Sequence, residues 1–329
     1  MASLSELINC LQGGALKKDP NWLNKRLSKE LANVSNLRGG ATVIFYASAF
    51  LQKNAAGSGV NISREDINGF MNALHGMKTD KGLTLILHTP GGDPNAVESI
   101  VEYLHGNFSR IEVIVPYLAM SGGTMISLAS DLLALGRQSQ LGPIDPQLST
   151  GGKAYSARAI REGFNQARED IEKNTGMGHL WAPILQNMGP SLAMEAEKAL
   201  SYSRELVVRW MKRRMFKDME DEALREKTVN GIAAYFNAED TADGTIHVHG
   251  QRIGAEKLRE LGVRVEMLED TQELQTAVMT AYHLMTLIFE RTLSSKFIAD
   301  DGGKMWFKQQ SGVQPPAKLV PAKPVQKKG

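Results

Sequence analysis

Apolar runs alternate with amphipathic segments through the first half of this chain. Runs rich in aliphatic, β-branched and aromatic residues predict strands at 41–50, 83–88 and 111–115, and a shorter apolar run follows at 132–135. Apolar residues at helical spacing predict helices between them, at 63–78, at 94–105 and up to about Asp131. Strand–helix–strand units have parallel strands joined by right-handed crossovers, so the pattern predicts an α/β fold.

The flanking regions follow other patterns. The pattern of residues 1–38 predicts a polar helical arm that packs on the domain or on a neighbouring copy. Helical periodicity also occurs in two later segments, 154–173 and 191–216. Weak strand patterns at 246–249 and 263–268 flank a helical stretch at 254–261. A helix is predicted at 271–293, and its stripe of Met and Leu residues indicates packing or subunit contact. We therefore divide the chain into an arm (1–38), a main α/β domain (39–270), a C-terminal helical segment (271–308) and a disordered basic tail (309–329).

Two glycine-rich segments follow neighbouring predicted strands. Thr-Pro-Gly-Gly occupies 89–92, and Ala-Met-Ser-Gly-Gly occupies 119–123. Loops at the carboxyl ends of parallel strands are where active sites of open α/β sheets collect. Glycines let backbone N–H groups approach a developing oxyanion, and Ser121 can supply a nucleophile. Each segment has an ordinary interpretation as a tight turn or, for Ser121, as a helix N-cap, but together they favour acyl-transfer chemistry.

The composition restricts the binding partners and the cellular compartment that we expect. The 329 residues carry a formal charge of +2, which gives no electrostatic reason to expect nucleic-acid binding. The single cysteine, Cys10, excludes an internal disulfide and a Cys-x-x-Cys metal site, and favours a reducing compartment. The N-terminus lacks a signal-peptide pattern and apolar runs are too short for a membrane span, so we expect a cytoplasmic protein.

Three motifs resemble those of the Clp protease/crotonase superfamily. They are the segments at 89–92 and 119–123 and the Leu-Gly-Pro-Ile-Asp-Pro-Gln sequence at 141–147, in the order and spacing of that superfamily. The stretch 249–263 resembles the segment that closes its fold. The chain is most similar to the serine dehydrogenase proteinase family and to signal-peptide-peptidase-like serine proteases.

The resemblance implies a Clp/crotonase-like spiral of ββα units with added helices. It also implies that Ser121 attacks a peptide carbonyl, and that the amides of Gly91 or Gly92 and of Gly122 form the oxyanion hole. Ring or stacked homo-oligomers are typical of the superfamily.

The general base is where the chain departs from its relatives. Clp proteases place a histidine in the segment corresponding to 143–147 and an acid later, whereas this chain has Asp145 first and His249 later. We hypothesise a triad with exchanged roles, in which His249 accepts the proton of Ser121 and Asp145 orients it. His247 is an alternative base, and strand alternation would place it on the opposite face.

Two further residues have both a functional and an ordinary interpretation. The signal-peptide-peptidase relatives use a Ser–Lys dyad, but the matching position near Leu185 has no lysine. Lys173 lies upstream and could act only if its ammonium were desolvated, whereas a lysine at a helix end is ordinarily solvated. His88, beside the glycine turn, could contact substrate or form a structural hydrogen bond.

These features predict an ATP-independent serine peptidase acting on a peptide or protein substrate, with no cofactor or metal. No segment resembles a nucleotide-binding loop, so any unfoldase would be a separate protein. Two alternatives stay open. One is a crotonase-type acyl-CoA enzyme, which would use the same paired amides without a serine. The other is an oligomeric scaffold that keeps the fold and lacks an effective base.

Overall fold

The computed structural model describes residues 4–53, 59–150, 153–189, 191–237 and 252–309. In this part of the chain, helices pack on both faces of a central sheet. The strands are β1 (Thr42–Ser48), β2 (Leu83–His88), β3 (Ile111–Val115), β4 (Leu118–Ala119), β5 (Leu132–Leu135), β6 (Gln140–Leu141), β7 (Gln147–Thr150), β8 (Lys153–Ser156), β9 (Val265–Met267), β10 (Ser294–Asp300) and β11 (Met305–Gln309). The α-helices are α1 (Leu4–Gln12), α2 (Ala15–Lys18), α3 (Trp22–Leu37), α4 (Asp66–Leu74), α5 (Pro94–Asn107), α6 (Gly122–Leu128), α7 (Ala157–Lys173), α8 (Gly178–Met188), α9 (Ser191–Arg213), α10 (Glu222–Phe236), α11 (Ala255–Glu260) and α12 (Gln272–Arg291).

The central sheet has the strand order β11-β10-β1-β2-β3-β5-β9. Strands β1, β2, β3, β5 and β9 run parallel, and β10 and β11 add an antiparallel edge. Strands β1, β2 and β3 are buried along their whole length because helices cover both of their faces. This explains why they are continuous apolar runs and not alternating ones.

Two hydrophobic cores flank the sheet. One contains side chains of α4, α5, α6, α9 and α10, and the other contains side chains of α3 and α12. Leu27, Leu31 and Val34 of α3 are fully buried in the second core, so the N-terminal helical region packs on the domain. None of the described helices combines the length and the apolar character needed to cross a bilayer.

The structure confirms a mixed α/β fold and the predicted strands at 83–88 and 111–115. The helix predicted at 63–78 is shorter and occupies Asp66–Leu74. The helix predicted at 271–293 is confirmed as α12, but the segment 271–308 is not helical throughout, because β10 and β11 follow Arg291. Strand β10 pairs with β1, and this long-range contact decides its conformation. The weak strand pattern at 246–249 and the tail after Gln309 lie outside the described residues.

Candidate active site

Two backbone hydrogen bonds bring the glycine-rich segments together. Thr89 N–H donates to Leu118 C=O at 3.0 Å, and Met120 N–H donates to Thr89 C=O at 3.0 Å. The carboxyl end of β2 is thereby paired with the short strand β4 that precedes Ser121. The segments at 89–92 and 119–123 form one surface.

Ser121 has an unusual backbone conformation. Its φ of 49° and ψ of −111° make it the one non-glycine residue with positive φ in the described part of the chain. Such a conformation costs about 1–3 kcal/mol and persists only where the surroundings enforce it. Ser121 occupies the N-cap position of α6, but its side chain makes no capping hydrogen bond. The hydroxyl is therefore available at the positive end of the helix dipole.

Gly91 and Gly92 permit a close approach that other residues would block. Gly91 has φ +95°, and a Cβ there would lie 2.6 Å from the Met120 oxygen and 2.7 Å from the Gly122 nitrogen. A Cβ on Gly92 would lie 2.3 Å from the Ile62 oxygen. The Gly-Gly pair is thus packed between the Ser121 turn on one side and the backbone of Ile62 on the other.

The backbone N–H groups around Ser121 differ in whether they donate a hydrogen bond. Gly91 N–H donates to Thr89 Oγ1 at 3.2 Å. Gly122 N–H is the first of α6 and has no partner within that helix. No described residue accepts a hydrogen bond from Gly92 N–H or Gly122 N–H. The Gly92 nitrogen lies 3.2 Å from the position of a Cβ built on Gly122, so the residues that carry these two N–H groups are close neighbours.

The third motif, 141–147, is attached to α6 through Thr124. The Thr124 hydroxyl lies 2.8 Å from Gly142 O and 3.0 Å from Ala119 O, and it accepts Gly142 N–H at 3.1 Å. Asp145 follows on this segment and is buried. Its Oδ1 accepts the Arg158 N–H at 3.3 Å, in the first turn of α7, where the helix dipole stabilises negative charge.

The three motifs line one cleft of about 630 Å³. This is the size range of ligand-binding pockets. Its lining residues are Asn61, Ile62, Pro90, Gly91, Gly92, Asp93, Pro94, Ser121, Met125, Ile144, Pro146, Gln147 and Ser203. Among the described residues, this lining includes Ser121, Gly91 and Gly92 but no histidine or lysine.

Of the three candidate bases, Lys173 is the one within the described residues. His247 and His249 lie outside the described residues. Lys173 ends α7, sixteen residues beyond Ala157, so the helix carries it roughly 24 Å away from the end near Asp145. Its ammonium lies 3.8 Å from Glu169 Oε2, and its side chain is 73% exposed. The structure therefore does not bring Lys173 to the cleft and gives it a solvated setting.

His88 lies in an aromatic cluster and does not line the cleft. Its ring centroid is 4.8 Å from that of Phe50, 6.4 Å from that of Tyr117 and 5.3 Å from that of Tyr282. Burial lowers the pKa of His88 to about 3, and the backbone of Leu118 offsets only part of this effect. The surroundings favour a neutral, structural imidazole.

Ser203 is a cleft residue that the sequence reasoning missed. It belongs to α9 and is fully buried, and its hydroxyl has no hydrogen-bond partner within the described ranges. The signal available in the sequence was a hydroxyl on the apolar stripe of α9, between Leu200 and Leu206. A polar residue on a buried stripe is informative because an unpaired buried hydroxyl is costly.

A family profile described as ClpP-like SDH-type serine proteinase matches residues 60–290. The chain belongs to this family. The match includes the three motifs at 89–92, 119–123 and 141–147, so the resemblance inferred from them is confirmed at the level of the family.

Two proteins of Methanocaldococcus jannaschii are similar in sequence to this serine proteinase family member. MJ0137 is 38% identical over 153 residues, which are 44% of this chain and 54% of that protein. MJ1495 is 28% identical over 204 residues, which are 62% of this chain and 59% of that protein. The chain thus spans a little over half the length of these relatives.

Two solved structures of the 1510-N membrane-bound stomatin-specific protease also match. A serine-to-alanine variant matches 66% of this chain and 79% of its own, at 18% identity and a TM-score of 0.37. A lysine-to-alanine variant in complex with a substrate peptide matches 74% of this chain and 98% of its own, at 17% identity and a TM-score of 0.30.

The buried His88 makes stability sensitive to acid. An unfolded histidine binds a proton near pH 6.5, whereas folded His88 stays neutral until about pH 3, so protonation of the unfolded chain lowers the unfolding free energy as pH falls. We expect His88→Phe to remove about 2–3 kcal/mol of the difference in unfolding free energy between pH 7 and pH 4.5. Urea denaturation at both pH values measures it.

His75→Phe is the matched control because His75 is exposed. It should leave the difference unchanged. Equal pH dependence in His88→Phe and the unsubstituted protein would contradict the prediction.

Proposed function

We propose that this chain is an ATP-independent serine peptidase that hydrolyses peptide bonds through an acyl-enzyme on Ser121. The oxyanion hole consists of the Gly92 and Gly122 amides, His249 is the general base, and Asp145 orients it. The family membership supports peptide-bond hydrolysis, and the single cysteine supports action in the reducing cytoplasm.

The observation that carries the proposal is the conformation of Ser121 beside the N–H groups of Gly92 and Gly122, which donate no hydrogen bond to a described residue. Its hydroxyl does not cap α6, and the strained turn directs this residue to the cleft. Attack of Oγ on a peptide carbonyl carbon places negative charge on the carbonyl oxygen, which the two N–H groups stabilise. Collapse of the intermediate releases the amine with the proton taken from Ser121, and water then hydrolyses the ester.

The pairing of Leu141 with Ile253 supports the base assignment. These residues exchange two antiparallel backbone hydrogen bonds, at 2.9 and 3.1 Å. In the sequence, Asp145 follows Leu141 by four residues and His249 precedes Ile253 by four. Four residues span at most about 14 Å, so the chain length from Ile253 permits His249 to reach the segment that contains Asp145.

A fluorophosphonate probe tests the nucleophile. We expect one covalent adduct per chain, detected by intact mass spectrometry, and none in Ser121→Ala, because only an activated serine reacts at neutral pH. Ser203→Ala is the matched control, since it removes a second hydroxyl from the same cleft and should keep the adduct. An unreactive protein across pH 5–9 would refute the peptidase assignment.

The rate of probe labelling tests the base. Loss of general-base catalysis costs about 10²–10⁴-fold in rate, so we expect His249→Ala and Asp145→Asn to slow labelling within that range. Lys173→Ala should leave the rate unchanged because Lys173 is solvated and pairs with Glu169. Labelling of His249→Ala at the unsubstituted rate, or a loss confined to His247→Ala, would reject His249.

Exposed apolar side chains support self-association. Leu180 and Ile184 of α8 and Met194 of α9 are 63%, 49% and 63% exposed. We propose that these side chains contact other copies of the chain, in keeping with the oligomers typical of the superfamily. Leu180→Glu combined with Ile184→Glu should lower the molar mass measured by light scattering, whereas Met71→Glu, at an exposed site on α4, should not. A monomeric unsubstituted protein would overturn this proposal.

A further inference from the structure

A buried charged pair lies beside the glycine loop without lining the cleft. Lys296 Nζ on β10 is 2.5 Å from Asp66 Oδ1 and 2.7 Å from Oδ2, and both side chains are fully buried. Tyr46 of β1 donates its hydroxyl to Asp66 Oδ2 at 2.7 Å. Burial lowers the pKa of Lys296, and the neighbouring Asp66 opposes this effect.

Such a pair is a costly way to stabilise a fold. Removing two charges from water costs several kcal/mol per ion, and well-packed apolar side chains often serve stability equally well or better. One attested use of a buried polar group is to fix a register or a geometry. The atoms held by this pair identify which geometry is fixed.

The pair holds the backbone on both sides of Ile62. Lys296 Nζ donates to Asn61 C=O at 2.8 Å and to Ser63 Oγ at 3.2 Å. Asp66 Oδ2 accepts the Ser63 N–H at 2.8 Å. The position of Ile62 is therefore set by contacts of both its neighbours with one buried ion pair.

Ile62 in turn sets the peptide plane between Gly91 and Gly92. Ile62 N–H donates to Gly91 C=O at 2.8 Å, and Ile62 C=O accepts Asp93 N–H at 3.1 Å. In a trans peptide the C=O and the following N–H point in opposite directions. Anchoring the Gly91 carbonyl on Ile62 therefore turns the Gly92 N–H away from Ile62, toward the side on which Gly122 lies.

We propose that Lys296 and Asp66 are positioning residues that hold the Gly91–Gly92 peptide in the orientation required of the oxyanion hole. The proposal rests on the peptidase function proposed above. Without the pair, this plane can rotate between two glycines that impose little conformational restraint. The nucleophile would remain in place while one of its two oxyanion donors was lost.

The test replaces both charges at once, with Lys296→Met and Asp66→Leu in the full-length protein. This avoids leaving one buried charge uncompensated. We expect the double variant to fold and the limiting rate of fluorophosphonate labelling to fall about 10²-fold, which is the effect of losing one oxyanion donor. The half-saturating probe concentration should change by less than about twofold, because only transition-state stabilisation is lost.

Arg38→Met with Glu112→Leu is the matched control. Arg38 and Glu112 also form a partly buried ion pair, 2.5 Å apart, near the opposite, amino ends of the strands. Its loss can change stability but should leave the limiting labelling rate unchanged. A folded Lys296/Asp66 double variant that reacts at the unsubstituted rate would overturn the proposal.

A crystal structure of the double variant gives a readout independent of activity. We expect the Gly91 carbonyl to have left Ile62, and an unchanged carbonyl would reject the positioning role even if the unsubstituted protein proved unreactive. If the double variant does not fold, Tyr46→Phe removes one hydrogen bond from Asp66 and should lower the limiting rate to a smaller extent, with the same half-saturating concentration. An unchanged rate in Tyr46→Phe would then count against the proposal.

Discussion

The site depends on the pairing of Thr89 with the backbone of Leu118 and Met120. These two hydrogen bonds pair the end of β2 with the short strand β4, and Ser121 follows β4 by two residues. They place Gly91 so close to Met120 and Gly122 that a side chain at position 91 would overlap the backbone. Gly91, the strained Ser121 and the start of α6 all lie next to these two hydrogen bonds.

A second set of contacts surrounds this first one, and the side chains of Thr124, Asp66 and Lys296 that make these contacts do not line the cleft. Thr124 attaches the segment that carries Asp145, and the Lys296–Asp66 pair attaches Ile62. Both use buried polar atoms at the edges of the glycine turn, where an apolar contact would not define the direction of a peptide plane. Hydrogen bonds are directional, so they are suited to this task.

The parts of the site that could be predicted are those encoded locally. Strands β2 and β3 are continuous apolar runs because the sheet is covered on both faces, and the motif at 89–92 directly follows such a run. Ser203, Lys296 and β10 were not predictable in the same way. Each acquires its environment from elements far away in sequence: Lys296 meets Asp66 across 230 positions. A lysine in the sequence Ser-Ser-Lys-Phe predicts an exposed side chain unless β1 is known to lie beside it.

The antiparallel pairing of β10 with β1 has a consequence for the order in which the molecule forms. Ile44 pairs with Asp300, so β1 waits for a strand that is synthesised much later. Closing so long a loop is slow compared with forming the local strand–helix units of the glycine segments. During synthesis the chain therefore contains the serine turn before it contains the lysine beneath the glycine loop. If Lys296 holds the glycine loop as proposed, the loop becomes fixed only after β10 has been made and has paired with β1.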